Sequence, residues 1–128
     1  MEWEFHTREA PQTVRNFVTL AHRGYFDSLR VHRVVPDFVI QDGDPTGTGS
    51  GGPGYTIRCE YNPLRYEAGM VGMALSGKDT GGSQWFVTLS PQPHLNGRYT
   101  IFARVTRGLD VAKRVTQGAQ VHRVELLP

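Results

Sequence analysis

Only one stretch of this 128-residue chain has the spacing of an amphipathic helix, so most of its core must come from short strands. In residues 11–23, Val14, Phe17, Val18 and Ala21 fall at i, i+3, i+4 and i+7, giving one apolar stripe. Pro11 suits the first helical turn, where its missing N–H costs nothing, and Gly24 suits the end. Elsewhere the apolar runs are short and rich in β-branched residues. The segment 29–35 is broken by Pro36-Asp37 and resumes over 38–41. Further strands are predicted at 55–58, 71–75, 84–89, 100–105 and 121–126, with a short second helix over 109–115 after Gly108. Strands at this spacing with few helices point to a barrel or a sandwich rather than alternating βαβ units.

Composition limits the function classes. A chain of 128 residues fits one domain, and 38% hydrophobic with 20% charged residues is a globular balance. No run approaches the roughly 20 apolar residues of a membrane span, and no secretory start is visible. The opening Met1-Glu2-Trp3-Glu4-Phe5 already alternates polar and apolar, as though inside a strand. The formal charge is +2, and the arginines are scattered singly, without the clustering of a nucleic-acid footprint. Cys59 is the single cysteine, which excludes an internal disulfide framework and any multi-cysteine zinc site. A lone thiol neither requires nor forbids a reducing compartment.

Some motifs look chemical and lack the context they need. Gly47-Thr48-Gly49-Ser50-Gly51-Gly52 has G-x-G-x-x-G spacing, but Pro53-Gly54 and a predicted strand follow it where a helix N-terminus is required. It reads as a flexible loop whose glycines allow tight turns. His6, His22, His32, His94 and His122 show no i, i+4 helical pairing and no carboxylate at ligand spacing, so no metal site is predicted. Ser83 lacks the second glycine of a nucleophile elbow and reads as a turn residue. Asp42 and Asp44, flanking Gly43, likewise read as a turn.

The remaining segments are Val31-His32-Arg33-Val34-Val35-Pro36-Asp37-Phe38-Val39-Ile40-Gln41-Asp42-Gly43-Asp44, Gly72-Met73-Ala74-Leu75-Ser76, Gly81-Gly82-Ser83-Gln84-Trp85-Phe86 and His94-Leu95-Asn96-Gly97-Arg98-Tyr99-Thr100-Ile101-Phe102. In this order and spacing they strongly resemble the cyclophilin family of peptidyl-prolyl isomerases. The resemblance runs from about Phe5 to the C-terminus and includes Ala10-Pro11, Thr13-Val14, Asn16-Phe17 and Gly24-Tyr25-Phe26-Asp27. It implies a mainly β fold: a closed antiparallel barrel of about eight strands capped by two helices, forming one domain over residues 1–128.

The implied activity is rotation about X-Pro bonds, assisting protein folding, with no cofactor and no metal. Partial double-bond character sets a barrier of about 18–20 kcal/mol, and a catalyst must bind the twisted amide better than either planar form. In that twisted state the proline nitrogen becomes a better acceptor, and a permanently protonated guanidinium can donate to it. The resemblance gives Arg33 this role and has Gln41 hold Arg33 and touch the substrate carbonyl. Phe38, Val39, Phe86 and Leu95 match the family's proline socket, although apolar strand residues are more often plain core. Ala74-Leu75 would bind peptide backbone, Gln84 would add a side-chain contact, and His94 with Tyr99 would form the rim.

Departures from the family pattern qualify the expectation. His94 stands where many eukaryotic members carry tryptophan, which implies weak cyclosporin binding. Val39 replaces a common methionine. Trp85 stands where phenylalanine is usual and by strand alternation should face the core. Only the second of two expected N-terminal strands fits into residues 2–5, so the natural protein is expected to continue upstream. The implied partners are proline-containing peptides or unfolded proteins, met by a monomer. The alternative is a proline-peptide binding module without catalysis, which would need the socket but not Arg33 and Gln41 together.

Overall fold

In the computed structural model, which describes residues 1–128, the apolar stripe forms helix α1 over Pro11–His22. Pro11 occupies its first turn, and Ala10 at the N-cap has no side chain able to cap. The Glu60 carboxylate does this from far along the chain. It accepts from the Gln12 N–H at 3.2 Å, the Thr13 N–H at 2.6 Å and the Thr13 hydroxyl at 2.7 Å. An anion at this end satisfies orphan donors and complements the helix dipole.

The strands are β1 (Glu2–Phe5), β2 (Arg33–Val35), β3 (Val39–Asp42), β4 (Met70–Met73), β5 (Trp85–Thr88) and β6 (Ile101–Arg107). A second helix, α2, covers Leu109–Arg114. The strands form one antiparallel sheet in the order β1-β6-β4-β5-β3-β2. The mainly β expectation and both helices therefore hold. The closed barrel of about eight strands does not: the sheet has six strands and stays open, with β1 and β2 at its edges. The segment predicted as a strand at 55–58 contributes only the bridge Ile57↔Gly81. The one at 121–126 exchanges bonds with Ser28 and Leu29, then departs as the Val124 N–H turns to the Asp27 carboxylate. Asp42, expected in a turn, is instead the buried last residue of β3.

Strand alternation divides the sheet into two buried faces. Ile40, Val71, Met73, Trp85 and Val87 pack with Val14, Phe17, Leu20 and Ala21 of α1. Trp85 thus faces the core, as alternation requires. Val39, Phe86 and Ile101 point the other way and join Tyr66 and Leu95 in a smaller cluster. A register shift between Val71 and Gly72 leaves Phe102 unpaired in the ladder. This bulge lets Phe102 and Ala103 both serve the helix-side core while Ile101 stays opposite Gly72.

Gly72 leaves room for an aromatic pair on the face away from α1. A Cβ here would lie 2.2 Å from the Tyr66 hydroxyl and 2.5 Å from the Phe86 ring. The stacked Tyr66–Phe86 pair, 5.5 Å between centroids, therefore rests on bare backbone. The Tyr66 hydroxyl donates to the Tyr99 carbonyl at 3.0 Å, so it cannot swing clear without losing that bond.

The glycine-rich loop is ordered by one carboxylate. Asp44 accepts from the Thr46 N–H and hydroxyl on one oxygen and from the Thr48 and Gly49 N–H groups on the other. Burial alone would raise its pKa. The Thr46 hydroxyl and backbone N–H groups of Thr46, Gly51 and Gly49 outweigh that and hold the carboxyl well below the usual range. A Cβ at Gly51 would strike the Asp44 carboxylate, so glycine is needed where the loop closes over it.

Gly72→Ala is expected to lower unfolding stability by about 1–3 kcal/mol through overpacking, read as a lower urea midpoint at an unchanged slope. A carboxyl held below its unfolded pKa of about 3.9 stabilises the fold above that pH, and the contribution fades as pH falls toward the folded pKa. The stability gap between wild type and Asp44→Asn is therefore expected to be full near neutral pH. It should narrow on acidification below about pH 4, as parallel denaturation series would show.

Candidate active site

One rung of the sheet carries the centre of the site. Arg33 on β2 lies opposite Gln41 on β3, Gln41 opposite Phe86 on β5, Phe86 opposite Gly72 on β4, and Gly72 opposite Ile101 on β6. All side chains of such a rung share one face. Along it runs a hydrogen-bond relay. An Arg33 Nη donates to Gln41 Oε1 at 3.2 Å, and Gln41 Nε2 donates to Gln84 Oε1 at 3.0 Å. Gln84 Nε2 then donates to the Gly49 and Gly51 carbonyls at 2.9 and 3.0 Å. The relay thus ends on the loop that Asp44 orders, and the Arg33–Gln41 bond uses one of the five guanidinium donors.

The turn between β2 and β3 places Phe38. Asp37 there has a φ of 61°, and the Phe38 N–H donates to the Val35 carbonyl at 3.0 Å. The Phe38 ring lies under the Arg33 guanidinium, 5.8 Å from its centre. That contact and the bond to Gln41 orient the guanidinium, a permanent cation, at the mouth of an apolar hollow.

The hollow measures about 510 Å³. Phe38, Val39, Phe86, Leu95 and Tyr99 line it together with Ala74 and Leu75, and Arg33 and Gln41 stand at its polar side. The Tyr99 ring meets Phe86 edge-on at 5.9 Å. Gln84 lines an adjoining cavity of about 700 Å³, joined to the first through Gln41, Gly49, Ala74 and Leu75. His94 lies outside both, exposed on a 3-10 turn and stacked on Phe38 at 5.8 Å. The Ala74 N–H is already committed to the Gln84 carbonyl at 3.0 Å. The Ala74 carbonyl and the Leu75 backbone groups carry no backbone hydrogen bond.

The structure brings in residues that sequence spacing did not mark. Tyr66, 1% exposed, backs Phe86 from a stretch without periodicity; its hydroxyl, pushed far above the usual phenol pKa by burial and by nearby Tyr99, stays protonated to donate. Thr48, Gly49 and His32 also border the hollow. The glycine-rich loop, expected to be merely flexible, is one of its walls. Ser83 sits in a bend as predicted. Its hydroxyl donates to the Gly43 carbonyl at 2.6 Å and lies 3.1 Å from the Tyr25 hydroxyl, tying β5 to the loop after β3.

An apolar hollow beside a cationic donor held by Gln41 is suited to binding an X-Pro segment and polarising its amide. Comparison with known proteins agrees. The family model described as cyclophilin type peptidyl-prolyl cis-trans isomerase matches residues 1–126. Peptidyl-prolyl cis-trans isomerase B of Bacillus subtilis is 52% identical over 128 residues, covering 98% of this chain and 90% of that protein. A peptidyl-prolyl cis-trans isomerase of Helicobacter pylori is 46% identical over 125 residues, covering 94% of this chain and 77% of its own length. Among solved structures, a Cryptosporidium parvum cyclophilin type isomerase determined in the presence of the dipeptide Ala-Pro superposes with a TM-score of 0.83 at 33% identity. That match covers 94% of this chain and 85% of the other. This chain belongs to the cyclophilin family and is a peptidyl-prolyl cis-trans isomerase.

Proposed function

We propose that Arg33 accelerates X-Pro rotation by donating a hydrogen bond to the proline nitrogen as it loses conjugation, while the ring is held in the Phe38–Phe86 hollow. The observation that carries this reading is the rung on which donor, holder and socket wall follow one another on adjacent strands. Gln41 fixes the guanidinium and reaches the substrate carbonyl. Phe38, Val39, Phe86 and Leu95 grip the ring. Ala74 and Leu75 take the peptide backbone, with Gln84, Tyr99 and His94 around them. Rotation makes and breaks no covalent bond, so a donor that strengthens its contact only in the twisted state suffices. Each 1.36 kcal/mol gained there alone is worth about tenfold in rate.

The substrates are proline-containing peptides and unfolded chains, and the Ala-Pro present with the Cryptosporidium relative is of this class. The enzyme acts as a monomer, since both faces of its sheet are covered within one chain. Cyclosporin binds weakly, because His94 offers less apolar rim than tryptophan. No helix is long and apolar enough to cross a membrane.

Arg33→Ala is expected to lower kcat/KM by about 100- to 1,000-fold, the usual loss for one donor aimed at a transition state. Phe86→Ala should instead act mainly through KM. NMR exchange measurements on an Ala-Pro peptide with each variant check both assignments, and near-wild-type kcat/KM in Arg33→Ala would contradict the first.

A further inference from the structure

We propose that His32 and Asp42 form a buried positioning pair that sets the alignment of Arg33 and Gln41; this rests on the reading of Arg33 given above. Arg33↔Gln41 is the last assigned pair of the β2–β3 ladder. Continuing the same register places His32 opposite Asp42. Each is the chain neighbour of a site residue; alternation turns Asp42 toward the helix-side face, where Ile40 already packs, while His32, at the edge of the sheet, also borders the hollow.

The side chains are 7% and 1% exposed, with His32 Nδ1 lying 3.9 Å from Asp42 Oδ1. Both imidazole nitrogens and both carboxylate oxygens are buried without a hydrogen-bond partner. The indole N–H of Trp85, the β5 residue in register with Asp42, is also buried and unpartnered. A buried carboxylate needs donors, and the His32 imidazole is the nearest side chain able to supply one. The titratable groups facing Asp42 are His32 from the lead-in to β2 and Asp44 from the loop after β3. β5 presents uncharged Trp85, and the Arg33 guanidinium is engaged with Gln41 on the other face.

Burial pushes the Asp42 carboxyl above the usual carboxylate range; the neighbouring Gly43 backbone and His32 oppose the rise, and Asp44 adds to it. A folded pKa above the unfolded one means that protonation favours the fold and that the ionised carboxylate costs stability near neutral pH. A residue placed only for stability would not carry that cost. Its charge has a use if it draws His32 across the strand ends and stiffens the backbone that bears Arg33 and Gln41. As pH falls through the raised pKa, the attraction is lost and the rung loosens.

The test measures catalysed exchange of an Ala-Pro peptide by NMR, which needs no coupling protease, from near-neutral to mildly acidic pH. Wild type, Asp42→Asn, His32→Gln and Arg33→Ala are compared, with melting temperatures for each. Wild-type kcat is expected to drop about three- to tenfold on acidification with KM little changed. Asp42→Asn and His32→Gln should lose the step and stay near the acidic value throughout, and Asp42→Asn should melt no lower than wild type at neutral pH. A wild-type profile retained in Asp42→Asn overturns the proposal, as does a fall in its melting temperature with kcat unchanged. Low activity of Arg33→Ala at every pH keeps the parent reading intact in either case, whereas an active Arg33→Ala removes both. If Asp42→Asn does not fold, the wild-type Arg33 Nε–H resonance decides. It should shift through the same acidic window, and a flat titration contradicts the pair.

Discussion

The site depends on a single rung: Arg33, Gln41, Phe86, Gly72 and Ile101 lie side by side on five neighbouring strands. Neighbouring strands are about 4.8 Å apart, so a guanidinium and an aromatic wall two strands away face each other across roughly 10 Å, with Gln41 between them. No loop has to fold correctly to bring these groups together; the ladder itself does so. The bare backbone at Gly72 is the complementary constraint, because the Tyr66–Phe86 stack can lie flat on the sheet only where a side chain is missing.

Around this rung the two sides of the sheet are held by different forces. The helix-side core of α1, Trp85, Phe102 and their neighbours fixes the sheet by apolar burial. The opposite face keeps the hollow beside Arg33. Its outer wall, the glycine-rich loop, has no apolar anchor of its own and depends on Asp44 and on the Gln84 amide for its shape. Charge-assisted bonds from backbone N–H groups to one carboxylate are strong for their number, which lets a polar loop serve as a wall.

Much of this was legible in the sequence, for identifiable reasons. The stripe in α1 has helical periodicity and no competitor, so it appears within a residue of its predicted end. Trp85 and Phe86 are assigned to opposite faces by period two alone. The strands predicted at 55–58 and 121–126 failed because β-branched composition reports fitness for a sheet, and these segments find only a few backbone partners. The socket residues could not be told from ordinary core by hydrophobicity, so only the resemblance in register singled them out. Tyr66, Gly72 and the ordering role of Asp44 depend on contacts between distant segments, which no local pattern encodes. Asp42 looked like a turn residue beside Gly43, whereas tertiary burial draws it into β3.

In the proposed mechanism the guanidinium of Arg33 favours the twisted amide over the planar one. The most direct measurement is the affinity of wild type and Arg33→Ala for a planar Ala-Pro peptide and for a mimic with a pyramidal proline nitrogen. Wild type is expected to bind the mimic more tightly than the peptide, and this margin should disappear in Arg33→Ala while affinity for the planar peptide is nearly unchanged. A margin that survives the loss of Arg33, or equal affinities in the wild type, would contradict it.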